Sequence, residues 1–188
     1  MRTAAVVLAA GASVRLGKPK QLVRLAGVTL LERALRTARE AGCCPVVVVL
    51  GADAAKIQAQ CKLNDAVVAI NDEWSEGMAS SIRIGVRMLG AVAKDADGVL
   101  LMTCDQPAVT AEHLRALMKT GEVTASAYAG RRGVPAYLPS AAFAQLMDLR
   151  GDAGARNLLA QARCVELADG ELDVDTVEDL AEAEHRFR

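Results

Sequence analysis

Short apolar runs alternate along this chain with segments of helical period. Ala4–Ala10 is uncharged and apolar and carries adjacent β-branched residues, which predicts a buried strand. Pro45–Leu50 predicts a second strand, apolar on both faces as in a parallel sheet covered by helices. Val67–Ile70 and Gly98–Thr103 predict a third and a fourth. Between these runs, Leu30, Leu31, Ala34, Leu35 and Ala38 recur at helical spacing within Thr29–Ala41, and Gly42 stands where a helix ends in a left-handed residue. Ala54–Gln60 and Met78–Leu89 carry further helical patterns, and Thr110 is placed to cap a helix running through Met118. Such alternation predicts an α/β fold with a doubly wound, mostly parallel sheet, whose ligands bind beyond the carboxyl ends of the strands.

The last third is less regular. Ala125–Tyr128 and Val134–Leu138 predict strands around Gly130-Arg-Arg-Gly133, and Ser140–Leu149 predicts a helix. Gly151–Arg156 opens another helix, Cys164–Leu167 predicts a short strand, and Asp173–Asp179 leads into an amphipathic terminal helix. With no repeat, low-complexity tract or linker, the expected organisation is one domain over residues 1–188.

Composition narrows the possible partners. The chain is 52% hydrophobic but only 3% aromatic, so its core must be built from Ala, Val, Leu and Ile. A formal net charge of -1 gives no electrostatic reason to bind nucleic acid or an anionic membrane. No segment has the length of a membrane span and the apolar start lacks a signal-peptide layout, so a cytoplasmic protein is expected. The five cysteines show no C-x-x-C spacing, which argues against a disulfide framework or a zinc site and for most of them being small buried hydrophobes. Cys104 has no neighbouring histidine to activate it, and His113 and His185 have no ligand companions, so all three read as structural.

The chemistry begins where the first apolar run stops. Gly11 and Gly17 permit positive φ, small Ala10, Ala12 and Ser13 let a ligand approach the backbone, and Arg15, Lys18 and Lys20 bring cations to the same place. This is neither a Walker loop nor the G-x-G-x-x-G spacing of a dinucleotide site. Its spacing indicates polyphosphate affinity and no more. Asp105 follows the Gly98–Thr103 run and precedes Pro107, where it can either hold a divalent cation or cap a turn. Asp173, Asp175, Glu178 and Asp179 form an acidic group that can supply a second metal ligand or charge the start of a helix. Asn71–Ser81 carries hydroxyls and amides able to read a base edge, although Ser80 or Ser81 can equally cap a helix. Trp74 in that segment can cover a ligand or anchor the loop. Gly151–Arg156 combines small residues and an arginine suited to phosphate with Asp152, which can serve simply as a cap.

These stretches together resemble the nucleotidyltransferases of molybdenum-cofactor synthesis, of the type that uses CTP. The matching segments are Leu8–Gly17 with Pro19-Lys-Gln-Leu22, Asn71 with Trp74 and Gly77–Ile82, Cys104-Asp-Gln-Pro107, Gly151-Asp-Ala-Gly-Ala-Arg156, and Asp173–Leu180. The resemblance implies a Rossmann-like nucleotidyltransferase fold. Leu8, Ala9, Ala10, Gly11, Ser13 and Asn71 would hold the nucleotide, Arg15 and Lys20 would grip its triphosphate, and Ser81 would contribute to recognition of cytosine. It further implies Mg2+ held by Asp105 and Asp175, molybdenum-bearing molybdopterin as the acceptor, and a molybdenum hydroxylase as a possible recipient of the product. Many members carry Gly-His-Pro where this chain has Gly133-Val-Pro135, which removes one donor from the acceptor side.

Overall fold

The computed structural model describes residues 2–152 and 154–187. Its centre is a seven-stranded sheet built from β1 (Thr3–Ala9), β4 (Val46–Leu50), β5 (Val67–Ile70), β6 (Gly98–Thr103), β7 (Thr124–Tyr128), β8 (Arg131–Pro139) and β9 (Arg163–Glu166), in the order β5-β4-β1-β6-β8-β7-β9. β8 alone runs against the rest, pairing antiparallel with both β6 and β7. A separate hairpin joins β2 (Arg24–Leu25) to β3 (Val28–Thr29). The mostly parallel α/β architecture expected from the alternating pattern is the one observed.

The period-two alternation of β1 divides the core. Ala5, Val7 and Ala9 face one layer, where Leu31, Leu35 and Ala38 of α1 (Leu30–Glu40), Ile57 of α2 (Ala54–Gln60) and Leu114 and Leu117 of α4 (Ala111–Met118) pack. Ala4, Val6 and Leu8 face the other, against Ile82, Val86 and Leu89 of α3 (Met78–Val92), Leu146 of α5 (Phe143–Met147) and Leu159 of α6 (Arg156–Leu159). α3 lies close on the sheet because it carries Gly85, where a Cβ would stand 2.5 Å from Val6 Cγ1. A third, smaller cluster joins Leu16, Val23, Leu25 and Leu30 to Leu172, Val174 and Ala183, the last on α7 (Val177–Arg186). It brings the C-terminal segment back onto the loop that follows β1.

Local signals explain most element ends. Thr29 and Thr176 each form a capping box, with Glu32 and Asp179 respectively, and the Thr110 hydroxyl accepts from His113 N–H. Two expectations change. Arg131–Gly133 are part of β8 and not a connection, because the turn is only Ala129-Gly130, whose φ values of 46° and 72° suit a two-residue hairpin. The expected helix over Ser140–Leu149 shortens to a 3-10 turn over Ser140–Ala142 and α5. Among the described residues, no helix is long and apolar enough to cross a membrane.

Candidate active site

The loop after β1 is shaped from inside by Gln21. Its side-chain amide is fully buried and donates to the carbonyls of Ala9 at 2.7 Å and Gly11 at 3.0 Å, tying the end of β1 to the 3-10 turn over Lys20–Leu22. Ser13 adopts a left-handed conformation and its hydroxyl accepts the Lys20 N–H at 3.0 Å. The Lys20 side chain is thereby aimed across the carboxyl ends of β1 and β6. Substituting Gln21→Glu would set a buried carboxylate against two carbonyl oxygens. We expect a cost of about 3 kcal/mol or more, read as a fall of roughly 6 °C or more in thermal midpoint.

Lys20 meets two carboxylates. Its Nζ lies 2.5 Å from Asp105 Oδ2 and 2.8 Å from Asp175 Oδ1, while Arg15 Nη2 lies 2.5 Å from Asp175 Oδ2. Asp105 arrives by extension of β6. Asp175 arrives because the apolar Val174 between two aspartates is completely buried and its N–H donates to the Asp105 carbonyl at 2.9 Å. That anchoring leaves Asp173 and Asp175 on the cleft side. Burial works against the Lys20 charge, but Asp105 and Asp175 outweigh it and hold the ammonium above the ordinary lysine value. Burial, reinforced by the charges of Asp105 and Asp175, pushes the Asp173 carboxyl up to about 6.

Two cavities open from this point. One, of about 380 Å3, is lined by Leu8, Ala9, Ala10, Gly11, Gln21, Trp74, Ser75, Gly77 and Ser81. The other, of about 300 Å3, is lined by Gln106, Tyr128, Arg131, Arg132, Gly133, Val134, Ala155, Arg156, Leu159, Asp173 and Asp175. Lys20, Met78, Thr103, Asp105 and Asp152 belong to both, so the ion-paired cluster sits at their junction.

Of the site residues that the resemblance implies, Leu8, Ala9, Ala10, Gly11, Lys20, Ser81 and Asp105 line the first cavity, and Lys20, Asp105 and Asp175 the second. Three lie off both linings. Ser13 is spent on the Lys20 N–H. Arg15 is an exposed side chain paired with Asp175. Asn71 is buried behind the first cavity, where its amide donates to Ser80 Oγ at 2.8 Å and Ser81 Oγ at 2.9 Å. It orients Ser81 and does not face the cavity itself. Neither serine caps α3, whose N-cap position is taken by Gly77; the Ser80 hydroxyl is turned back toward the Glu73 and Gly77 carbonyls, which separates the roles of the two serines. Trp74 both lines the cavity and packs against Gly51, where an added Cβ would stand 2.7 Å from the Trp74 Cβ.

Asp152 does not cap α6, whose N-cap position is taken by Ala155, and it lines both cavities instead; Ala153 of the same motif lies outside the described residues. Cys104 is buried, and that burial pushes its thiol up to about 12, in keeping with a structural role. His113 is also buried, with Nε2 2.8 Å from Ser126 Oγ, and burial lowers its basicity.

The carboxylates suit a hard divalent cation. Asp105 and Asp175 oxygens already converge on one positive centre, and Asp105 Oδ1 is buried with no hydrogen-bond partner among the described residues. No group of three or more His, Cys, Asp or Glu side chains arranged for a metal occurs among the described residues. Two carboxylates are nonetheless the usual protein share where magnesium draws its remaining oxygens from phosphates and water.

Comparison with known proteins gives the family that this chain resembles along most of its length. The model of the MobA-like NTP transferase domain matches residues 5–167. Nicotine blue oxidoreductase of Paenarthrobacter nicotinovorans is 36% identical, with 93% of each chain covered. The purine catabolism protein PucB of Bacillus subtilis is 31% identical over 93% of this chain and 92% of its own. The crystal structure of Rv0371c from Mycobacterium tuberculosis in complex with manganese superposes with a TM-score of 0.81 at 31% identity, covering 98% of this chain and 99% of that one.

Proposed function

Because this chain belongs to the MobA-like NTP transferase family, we propose that it transfers CMP from CTP to the terminal phosphate of molybdenum-bearing molybdopterin and releases pyrophosphate, as one nucleotidyltransferase domain over residues 1–188. The observation that carries this reading is the pair of cavities meeting at Lys20 and Asp105. A group-transfer enzyme needs donor and acceptor chambers with the reacting centre at their junction. The cavity beside Leu8–Gly11 and Ser81 takes the nucleotide, with the Ser81 hydroxyl toward the base. The cavity beside Arg131, Arg132 and Arg156 takes the anionic acceptor. Its wall carries Val134, which has no side-chain donor, so arginines provide the polar recognition there.

In the reaction, an acceptor phosphate oxygen forms a bond to the α-phosphorus of CTP. The bond to the α–β bridging oxygen breaks, and its electron pair leaves with pyrophosphate. Lys20 and Arg15 hold the phosphates in line and offset the charge that grows on the leaving group. Asp105 and Asp175 would hold a divalent cation, magnesium in this reading, which when bound neutralises phosphate charge. No side chain needs to form a covalent intermediate.

The relative named nicotine blue oxidoreductase favours a second reading, in which the chain serves an oxidation–reduction system. It would then bind the molybdenum cofactor and pass it to a molybdenum hydroxylase without turnover. Assaying pyrophosphate release with CTP, GTP and ATP against a panel of phosphorylated acceptors separates the two. Release with CTP and the molybdenum cofactor supports transfer, whereas tight cofactor binding with no release from any pair supports delivery.

A further inference from the structure

The cations suited to a triphosphate and the carboxylates suited to a metal are spent on each other. Lys20 Nζ bridges Asp105 Oδ2 and Asp175 Oδ1, and Arg15 Nη2 closes on the other oxygen of Asp175. Two positive and two negative groups thus form a neutral set. The Lys20 and Asp105 side chains are only 18% and 11% exposed, so solvent screens this pairing far less than it does a surface ion pair.

Neither ligand can enter such a set alone without leaving charge unbalanced. A divalent cation at Asp105 and Asp175 would face the Lys20 ammonium, with the Arg15 guanidinium beside it. A triphosphate drawn to Lys20 and Arg15 would face both carboxylates. When both enter together the partners exchange: the carboxylates turn to the metal and the two cations turn to phosphate, so no group of the set is left facing a like charge.

We propose that Lys20, seated between Asp105 and Asp175, is an internal counter-ion through which a divalent cation and a nucleoside triphosphate each strengthen the binding of the other to this chain. The inference rests on the nucleotide-site reading given above and adds to it a thermodynamic link between the two ligands. Such a link is reciprocal, since whatever factor the nucleotide gives to metal affinity the metal gives to nucleotide affinity.

The test is titration with Mn2+ alone, followed by electron paramagnetic resonance of the free ion, and repeated at saturating CTP. Lys20→Met keeps the aliphatic stem and removes the charge. It is expected to bind Mn2+ alone about tenfold more tightly than wild type, within the roughly 5- to 150-fold range of ordinary couplings, while binding CTP more weakly when Mn2+ is present. Opposite signs for the two ligands distinguish a counter-ion from a residue that merely supports the site. Arg15→Gln, at an exposed position that leaves the core untouched, frees one Asp175 oxygen and is expected to tighten Mn2+ binding by a smaller factor. Lys20→Arg retains the charge and should behave as wild type. If neither Lys20→Met nor Arg15→Gln tightens Mn2+ binding while CTP still does so in wild type, the counter-ion role is wrong and the nucleotide site stands. If CTP, GTP and ATP all leave Mn2+ binding by wild type unchanged, the counter-ion role is wrong, and the nucleotide-site reading falls with it only where equilibrium dialysis shows that none of the three binds.

Discussion

Asp105→Asn is expected to lower the rate of pyrophosphate release by about 10²- to 10³-fold, the scale of losing one preorganised electrostatic contact to a phosphate reaction. The substitution preserves shape and removes a charge at the one residue that lies at the end of β6, borders both cavities and pairs with Lys20. The cavity wall at Leu8–Gly11 and Ser81 is untouched, so the contacts to the base are kept and the loss falls on turnover and on the metal-linked part of nucleotide affinity. Stability should fall by less than the roughly 3–5 kcal/mol of an uncompensated buried pair, because Asp175 remains 2.8 Å from the ammonium. Thermal unfolding and steady-state rates of the same preparation check both halves. A variant retaining activity within tenfold of wild type would remove Asp105 from the mechanism.

Gly77→Ala, although it adds one methyl group, should be nearly as damaging. Gly77 has φ 107° and ψ -178°, a region essentially reserved for glycine, and forcing another residue there costs about 1–3 kcal/mol. The new Cβ would also stand 2.9 Å from the Gly151 carbonyl carbon and collide with the Asp152 carboxylate. The two loops are joined here, since Ala79 N–H donates to the Gly151 carbonyl at 3.1 Å. Separating them moves Met78 and Asp152, which border both cavities. Unfolding in urea should show a loss of at least about 2 kcal/mol, with activity falling alongside. A loss below about 0.5 kcal/mol, typical of surface substitutions, would contradict the strain assigned to this glycine.

The sheet was legible in the sequence because its central strands are buried on both faces and read as unbroken apolar runs. β4 and β6 could hardly be anything else. The edge was harder. Arg131–Gly133 carry no strand signal of their own and join β8 only because Ala129-Gly130 turns the chain tightly enough to pair Tyr128 with Arg131. In the site, Gly11, Lys20, Ser81 and Asp105 were marked by residue type at strand and helix ends. Gln21 was not, because a buried glutamine next to a basic loop looks like any polar loop residue until the two carbonyls it serves are located. Asn71 carried a real signal whose meaning changed: its amide is consumed by Ser80 and Ser81, which leaves it behind the cavity wall. Asp175 was one of four acidic candidates. The useful clue was the apolar alternation of Leu172 and Val174 within that acidic stretch, which marks a segment held against a core, with Asp173 and Asp175 turned away from it. Glu178 and Asp179, by contrast, fall in the first turn of α7, where the helix dipole favours them.

The most direct measurement is pyrophosphate release by the wild-type chain with Mg2+, molybdenum-bearing molybdopterin and CTP, set beside GTP and ATP under the same conditions. Transfer is expected with CTP, to be strongly reduced with the purine nucleotides and to cease when the metal is chelated. Equal rates with all three nucleotides would contradict the assignment of Ser81 to the base, and no release with any of them would contradict nucleotidyl transfer itself.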